Sequence, residues 1–127
     1  MYKPNPYAKI KENAINTATP EELTLMLYDG ALKFANKAVI AIEKKNYNDA
    51  NNFIQRTKDI IRELQLTLNM DYEISNQLHE AYEYMHYRLI QANIKKDIDM
   101  LNEVIEHIRL FRETWKEVIK IARAGKS

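Results

Sequence analysis

The feature that most constrains this fold is a strong helix start at Thr19, followed by a chain with few helix breakers. The Thr19 hydroxyl can cap the first turn, and Pro20 stands where a helix needs no backbone N–H. Glu22, three residues after Thr19, completes a capping box, and Glu21 adds negative charge at the positive end of the helix dipole. The chain has no proline after this point and only 2 glycines in total, which favours long helices.

Apolar residues recur at spacings of three and four, the period of one buried helix face, in four successive segments. These segments span residues 20 to 44, 49 to 68, 72 to 92 and 97 to 123. The predicted inward residues are, segment by segment, Leu23, Leu27, Ala31, Phe34, Ala38 and Ile42; Ala50, Phe53, Ile54, Thr57, Ile60, Ile61, Leu64 and Leu68; Ile74, Leu78, Ala81, Tyr82, Met85 and Leu89; and Ile98, Leu101, Ile105, Ile108, Trp115, Ile119 and Ala122. Because the links have only a few residues, the pattern predicts an all-α, antiparallel up-and-down four-helix bundle over residues 19 to 124.

The first 18 residues differ from the rest of the chain, and we expect them to form a mobile or loosely docked N-terminal arm. Pro4 and Pro6 oppose helix formation in this segment. Its apolar side chains are few: Tyr2, Tyr7, Ile10 and Ile15.

Composition argues against several classes of protein. A hydrophobic content of 46% predicts a folded domain, and a net charge of +1 gives no overall attraction to nucleic acid or an anionic membrane. The absence of cysteine excludes disulfides and thiolate metal sites. The N-terminal segment lacks the apolar core of a signal peptide, and no window approaches the roughly 18 to 20 apolar residues of a spanning helix. We therefore expect a cytoplasmic protein with no membrane insertion and no nucleic-acid partner.

No set of residues predicts catalysis or a bound cofactor. Glu83 and His86 have the Glu-x-x-His spacing of di-iron bundle proteins, but a second such pair is missing because Glu103 and His107 are four residues apart. We expect no enzyme activity, no metal site and no cofactor. A metal-dependent bundle enzyme is the alternative that metal analysis would test.

Gly30 interrupts the first predicted helix, where a glycine costs about 1 kcal/mol relative to alanine. We interpret it as a point of close approach between two helices. Asp29 beside it either accepts a bond from a neighbouring helix or faces water.

The stretch from Asn16 to Phe34, NTATPEELTLMLYDGALKF, resembles the opening helix of the flagellin-specific export chaperones, the FliS family. The Asn5-Pro6-Tyr7 run is similar to the start common in that family. The run from Tyr87 to Asn93 resembles the family's segment around the end of helix three, and Glu113-Thr114-Trp115 resembles its final helix. The resemblance covers nearly the whole chain. It implies a non-enzymatic helical bundle that binds the disordered C-terminal region of flagellin, prevents premature polymerisation and delivers this client to the flagellar type III export apparatus.

The resemblance implies two partners, the C-terminal region of flagellin and a component of the flagellar export gate. It also implies that the arm around Tyr7 occupies part of the client groove when no client is bound. Apolar residues beyond the main inward stripes, which include Leu66, Ile90, Leu110 and Ile121, favour a surface for another helix. The predicted flagellin-binding residues are Tyr7, Ile10, Leu25, Tyr28, Leu32, Tyr87 and Ile90.

The apolar and aromatic residues outside the inward stripes have other interpretations. The tyrosine rings can simply fill the edges of the bundle with their hydroxyls in water. The bundle can also serve as an adaptor for another amphipathic helical partner, or bury its own stripe in a homodimer. We expect a monomer or a weak homodimer.

Overall fold

The computed structural model describes residues 18–125, and four helices follow one another within them. Helix α1 spans Pro20–Glu43, α2 spans Tyr47–Leu66, α3 spans Ile74–Lys95 and α4 spans Ile98–Ala124. No strand occurs between residues 18 and 125. The predicted all-α fold is confirmed, and each predicted helix end lies within three residues of the observed one. The predicted arm lies outside the described residues except for Ala18, so its mobility stays a prediction.

Side chains at the helix starts set these boundaries. Thr19 accepts a hydrogen bond from the backbone N–H of Glu22 at 3.2 Å, so the threonine half of the predicted capping box is confirmed. The Glu22 carboxylate serves a tertiary contact, since it accepts from Arg123 in the last turn of α4. Asn46 caps α2 and Asp97 caps α4 through their side-chain oxygens.

The helices form an antiparallel ring in which each one packs against two others. Helix α1 lies between α2 and α4, and α3 lies between the same two helices, so α1 and α3 stand diagonally across the bundle. Trp115 of α4 donates its indole N–H to the carbonyl of Glu21 at 2.8 Å, which joins the end of α4 to the start of α1. Asn93 of α3 donates to Asn51 of α2 at 2.8 Å and joins the end of α3 to the start of α2.

The core consists mainly of the residues that the helical period predicts. Fully buried side chains include Ile54, Ile61, Leu89, Leu101 and Ile108. Three predicted inward residues are exposed, and these predictions are wrong: Leu23, Ile74 and Ala122. All three lie near helix ends at the same end of the bundle, where the neighbouring helices provide little to cover them.

Helix α1 packs closely because its inward face carries small side chains. Ala31, Ala35 and Ala38 are all fully buried. A Cβ added at Gly30 would lie 3.3 Å from the Cδ1 atom of Ile60 on α2, which is tighter than most van der Waals contacts. The predicted close approach at Gly30 is therefore confirmed.

Asp29, the residue before this glycine, accepts a hydrogen bond from the Arg112 guanidinium of α4. Of the two alternatives for Asp29, the bond to a neighbouring helix is the one that the structure contains.

Two tyrosines connect the diagonal helices inside the core. The hydroxyls of Tyr28 on α1 and Tyr82 on α3 form a short hydrogen bond, and both residues are buried. Burial raises the pKa of each tyrosine above its ordinary value. The Tyr82 ring also meets the Phe111 ring edge to face, with centroids 5.7 Å apart. One hydroxyl thus donates to the other inside the core.

Replacing only one of these tyrosines should destabilise the fold. We expect Tyr28→Phe to lower the free energy of unfolding by about 1–3 kcal/mol, because it leaves the buried Tyr82 hydroxyl without its partner. The double replacement Tyr28→Phe/Tyr82→Phe should restore most of that loss, since no polar group is then stranded. Urea denaturation of the three proteins measures the difference, and additive losses in the double variant would contradict the pairing.

Candidate protein-binding surface

Exposed apolar side chains concentrate at the end of the bundle where α1 and α3 begin and where α2 and α4 stop. We call this the apolar end. Its large exposed hydrophobic residues are Leu23, Leu66, Met70, Tyr72, Ile74, Val118 and Ile121. Leu66 and Ile121 are 79% and 71% exposed. A surface with this many neighbouring apolar groups is typical of a protein-binding site.

Helix α4 carries an apolar stripe on its outer side that continues this surface. Leu110, Thr114, Val118 and Ile121 follow at spacings of four, four and three, so they share one helix face. We call this set the outer α4 stripe, and all four residues are exposed. The opposite side of α4 supplies core residues such as Ile108. Helix α4 is therefore apolar on two faces, and only one of them is covered in the described bundle.

The seam between α3 and α4 is closed by polar groups at the level of Glu103. Tyr84 donates its hydroxyl to Glu103 at 2.6 Å, and Arg88 donates to the same carboxylate at 2.8 Å. These two hydrogen bonds lower the pKa of Glu103 below its ordinary value. The Tyr84 ring meets the His107 ring edge to face, with centroids 6.2 Å apart. These polar contacts join α3 to α4 at the level of Glu103.

The seam between α4 and α1 holds a depression of about 450 Å³ near the apolar end. Leu25 of α1 and Ile119 of α4 give it an apolar component. Its charged lining comes from α4 and consists of Glu113, Lys116, Glu117, Lys120 and Arg123. The outer α4 stripe thus lies between this depression and α3.

The predicted flagellin-binding residues divide into groups. Leu25 is half-buried in the depression, and Leu32, seven residues further along the same face of α1, is half-buried against the core. Tyr28 is 4% exposed, so its ring belongs to the core and not to the surface, where the prediction requires it. On α3, Tyr87 is 56% exposed and Ile90 is half-buried.

Tyr7 and Ile10 lie outside the described residues.

These residues do not meet in one straight groove. Leu25 and Leu32 stand on α1, whereas Tyr87 and Ile90 stand on the diagonal helix α3. On one side of the bundle, α4 lies between the two groups, and its exposed surface there is the outer α4 stripe. Val118 in that stripe was not singled out from the sequence, although its spacing from Thr114 and Ile121 is the signal that identifies it.

Glu83 and His86 serve the packing of α3 against α2. The Glu83 carboxylate accepts from Arg62 at 2.7 Å and from Gln65 at 2.9 Å, which lowers the pKa of Glu83 to about 2. The His86 Nδ1 atom lies 3.4 Å from the same guanidinium. Partial burial and this cation lower the pKa of His86. Between residues 18 and 125, no group of three or more His, Asp or Glu side chains has the arrangement of a metal site.

The Glu83–Arg62 pair should contribute to stability in a pH-dependent way. Its folded pKa of about 2 is below the reference value of 4.5, so the contribution is present above pH 4.5 and is lost as the pH falls toward 2. We expect Glu83→Gln to lower Tm slightly at neutral pH, because the pair is exposed. The difference from the parent protein should shrink between pH 4.5 and 2. A Tm difference that stays constant over this range would contradict the assignment.

No helix between residues 18 and 125 is both long enough and apolar enough to span a bilayer.

Comparison with known proteins places this architecture in a family. The sequence profile of the family described as flagellar protein FliS matches residues 3–122. The chain belongs to the FliS family. It is 46% identical to the flagellar secretion chaperone FliS of Bacillus subtilis strain 168 over 119 residues, covering 94% of this chain and 90% of the relative. It is 31% identical to the flagellar secretion chaperone FliS of Escherichia coli K12 over 116 residues, covering 87% of this chain and 85% of the relative.

A solved structure supports the helical-bundle fold independently. A crystal structure described as a flagellar chaperone from bacteria superposes with a TM-score of 0.74, covering 91% of this chain and 98% of that chain. At 13% sequence identity, this likeness shows the fold alone. The resemblance of the stretch from Asn16 to Phe34 to the FliS family is confirmed by the profile match, and the relatives are named secretion chaperones of the flagellum.

Proposed function

We propose that this FliS-family chain is a cytoplasmic, non-enzymatic export chaperone. It binds the disordered C-terminal region of flagellin, prevents premature polymerisation, and delivers this client to a gate component of the flagellar type III export apparatus. The observation that carries the proposal is the match to the FliS family over residues 3–122. The uncovered apolar side of α4 is consistent with a protein client.

The physical basis is the mutual burial of two apolar faces. A disordered client loses conformational entropy when it orders, so a large apolar contact is needed to offset that loss. An amphipathic segment can provide that contact when it folds as a helix on a rigid bundle. The outer α4 stripe runs from Leu110 to Ile121, which is roughly 17 Å or three helical turns. A client helix of similar length can cover it.

The client's path follows from the positions of the predicted residues. A segment that touches Leu25 and Leu32 on α1 and also Tyr87 and Ile90 on α3 has to cross a helix that lies between them. The outer α4 stripe offers an apolar crossing on one side. We therefore propose α4 as the centre of the client surface and leave Tyr28 out of it, because its ring is buried.

We also propose that Tyr7 and Ile10 cover part of the apolar end until the client displaces them. The segment before Ala18 joins α1 at this end, and Ile10 precedes Thr19 by nine residues, a span of at most roughly 30 Å. Tyr7→Ala and removal of the arm should each change client affinity and lower the solubility of the free protein. If both properties stay unchanged in both variants, the arm has no such role.

The test is co-purification with the flagellin of the same organism, full-length and without its C-terminal region. We expect a one-to-one complex with full-length flagellin that is lost on truncation. The free flagellin should polymerise under conditions in which the complex does not. If neither form of flagellin binds, the proposal fails and an adaptor for another amphipathic partner becomes the better account.

A further inference from the structure

A second partly open face lies between α1 and α2. Phe34 of α1 and Phe53 of α2 stack with centroids 6.3 Å apart and planes at 21°, and both rings are half-buried. The Lys37 ammonium lies 5.7 Å from the centre of the Phe53 ring, and the Arg56 guanidinium lies 5.3 Å from the centre of the Phe34 ring. Ile40, 49% exposed, lines the adjoining depression of about 220 Å³ together with Lys37 and Phe53. We call these five residues the α1–α2 groove.

Arg56 of this groove differs from the other arginines of the bundle. The chain has six arginines, and five of them pair with a carboxylate. Arg56 has no carboxylate partner among residues 18–125, and Lys37 has none either, like the other lysines of that range except Lys116. Lys33 and Lys44, spaced four and seven residues from Lys37, place further positive charge along α1.

One acidic residue lines this depression. Asp49 lines it, and its carboxylate accepts from the Asn46 side chain at 2.7 Å. Lys37 and Lys44 line the same depression and Arg56 lies over the Phe34 ring, so cations outnumber this carboxylate. The α1–α2 groove combines an aromatic and aliphatic floor with an excess of positive charge on its rim.

We propose that the α1–α2 groove binds an acidic amphipathic helix of a second protein partner, separately from the client surface on α4. The apolar side of such a helix can pack on Phe34, Phe53 and Ile40. Its flanking carboxylates can pair with Lys37 and Arg56, which the ring faces hold at the rim. A nucleic acid fits less well, because the net charge of the chain is only +1 and the carboxylate of Asp49 lines the adjoining depression.

Two synthetic amphipathic peptides serve as probes. One carries a leucine stripe flanked by glutamates, and the other has lysine in place of every glutamate. Titration against the full chain, followed by calorimetry and by methyl chemical shifts, should show the glutamate peptide binding at least about ten times more tightly. The Ile40 methyl groups should shift, and added salt should weaken the binding.

Variants identify the binding site. Lys37→Glu/Arg56→Glu should weaken binding of the glutamate peptide at least about tenfold, and Lys37→Gln/Arg56→Gln should have a smaller effect in the same direction. Lys58→Glu/Arg109→Glu makes the same change of charge elsewhere on the bundle and should leave the affinity unchanged. Circular dichroism checks that all three variants are folded.

Several results would overturn the proposal. These are equal affinity for the two peptides, an equal loss in the Lys58→Glu/Arg109→Glu control, or tighter binding of a single-stranded oligonucleotide than of the glutamate peptide. If Lys37→Glu/Arg56→Glu also loses the flagellin complex, the α1–α2 groove is part of the client surface, and the proposal of a separate site fails. If the parent protein itself does not bind flagellin, the export function fails, while the peptide titration still decides the groove.

Discussion

Replacing Val118 and Ile121 with glutamate should weaken the binding of the flagellin C-terminal region by about 100-fold or more. Both side chains lie in the outer α4 stripe, 42% and 71% exposed, so the helix can carry the new charges in water. When a client covers the stripe, two carboxylates have to be desolvated against apolar groups. Burying a polar group without a hydrogen-bond partner costs roughly 2–7 kcal/mol, so two such sites account for a loss of this size. Calorimetry with a peptide of the client's C-terminal region measures the loss.

Ile40→Glu is the matched control for this prediction. Ile40 is 49% exposed on α1 and lines the α1–α2 groove, away from the outer α4 stripe. The control should bind the client peptide as the parent does, with an unchanged helical circular dichroism spectrum. An unchanged affinity in the folded Val118→Glu/Ile121→Glu protein would remove α4 from the client surface. An equal loss in Ile40→Glu would move that surface toward α1 and α2.

Leu101→Ala should lower the free energy of unfolding by about 2–5 kcal/mol. Leu101 is fully buried in the core, near the start of α4. The substitution removes apolar atoms from contact with the core and leaves a cavity that the surrounding helices can only partly fill. For a domain of this size, such a loss is a large part of the total stability.

Leu110→Ala on the same helix is the comparison. Leu110 is 62% exposed, so its replacement should change the free energy of unfolding by no more than about 0.5 kcal/mol. Urea denaturation of the two variants measures both values. Similar losses in the two proteins would mean that the inward and outward faces of α4 are assigned wrongly. A loss of client affinity in Leu110→Ala without a loss of stability would support the outer α4 stripe.

The helices and most of the core could be predicted because their causes are local. A cap at Thr19, apolar spacing and short links depend only on neighbouring residues. The failures at Leu23, Ile74 and Ala122 have a common cause. Helical period tells which face of a helix is apolar, but it does not tell how far the neighbouring helices extend to cover that face.

Contacts between residues that are distant in the chain explain the other differences. Tyr28 is buried because Tyr82, 54 residues later, supplies a partner for its hydroxyl. Glu83 is held by Arg62, 21 residues earlier. Neither pairing follows from the spacing of residues on one helix.

The candidate site was predictable only in part for the same reason. Spacing correctly places Tyr87 outside the core stripe of α3, and it places Leu25 and Leu32 on one face of α1. It does not tell how the two helices are arranged in the ring, so residues that stand on diagonal helices were assigned to one groove. The outer α4 stripe could be predicted from the sequence, since the spacing of Leu110, Thr114, Val118 and Ile121 places them on one face of a helix.

Methyl chemical shifts of the full chain, recorded with and without the C-terminal segment of flagellin, test the central claim most directly. Isotope labels on Ile, Leu and Val report both faces of the bundle in one spectrum. We expect large shifts at Leu110, Val118 and Ile121 and little change at Ile40. Shifts confined to Ile40 and its neighbours, or a spectrum that the segment leaves unchanged, would contradict the proposal that this chain holds flagellin across α4.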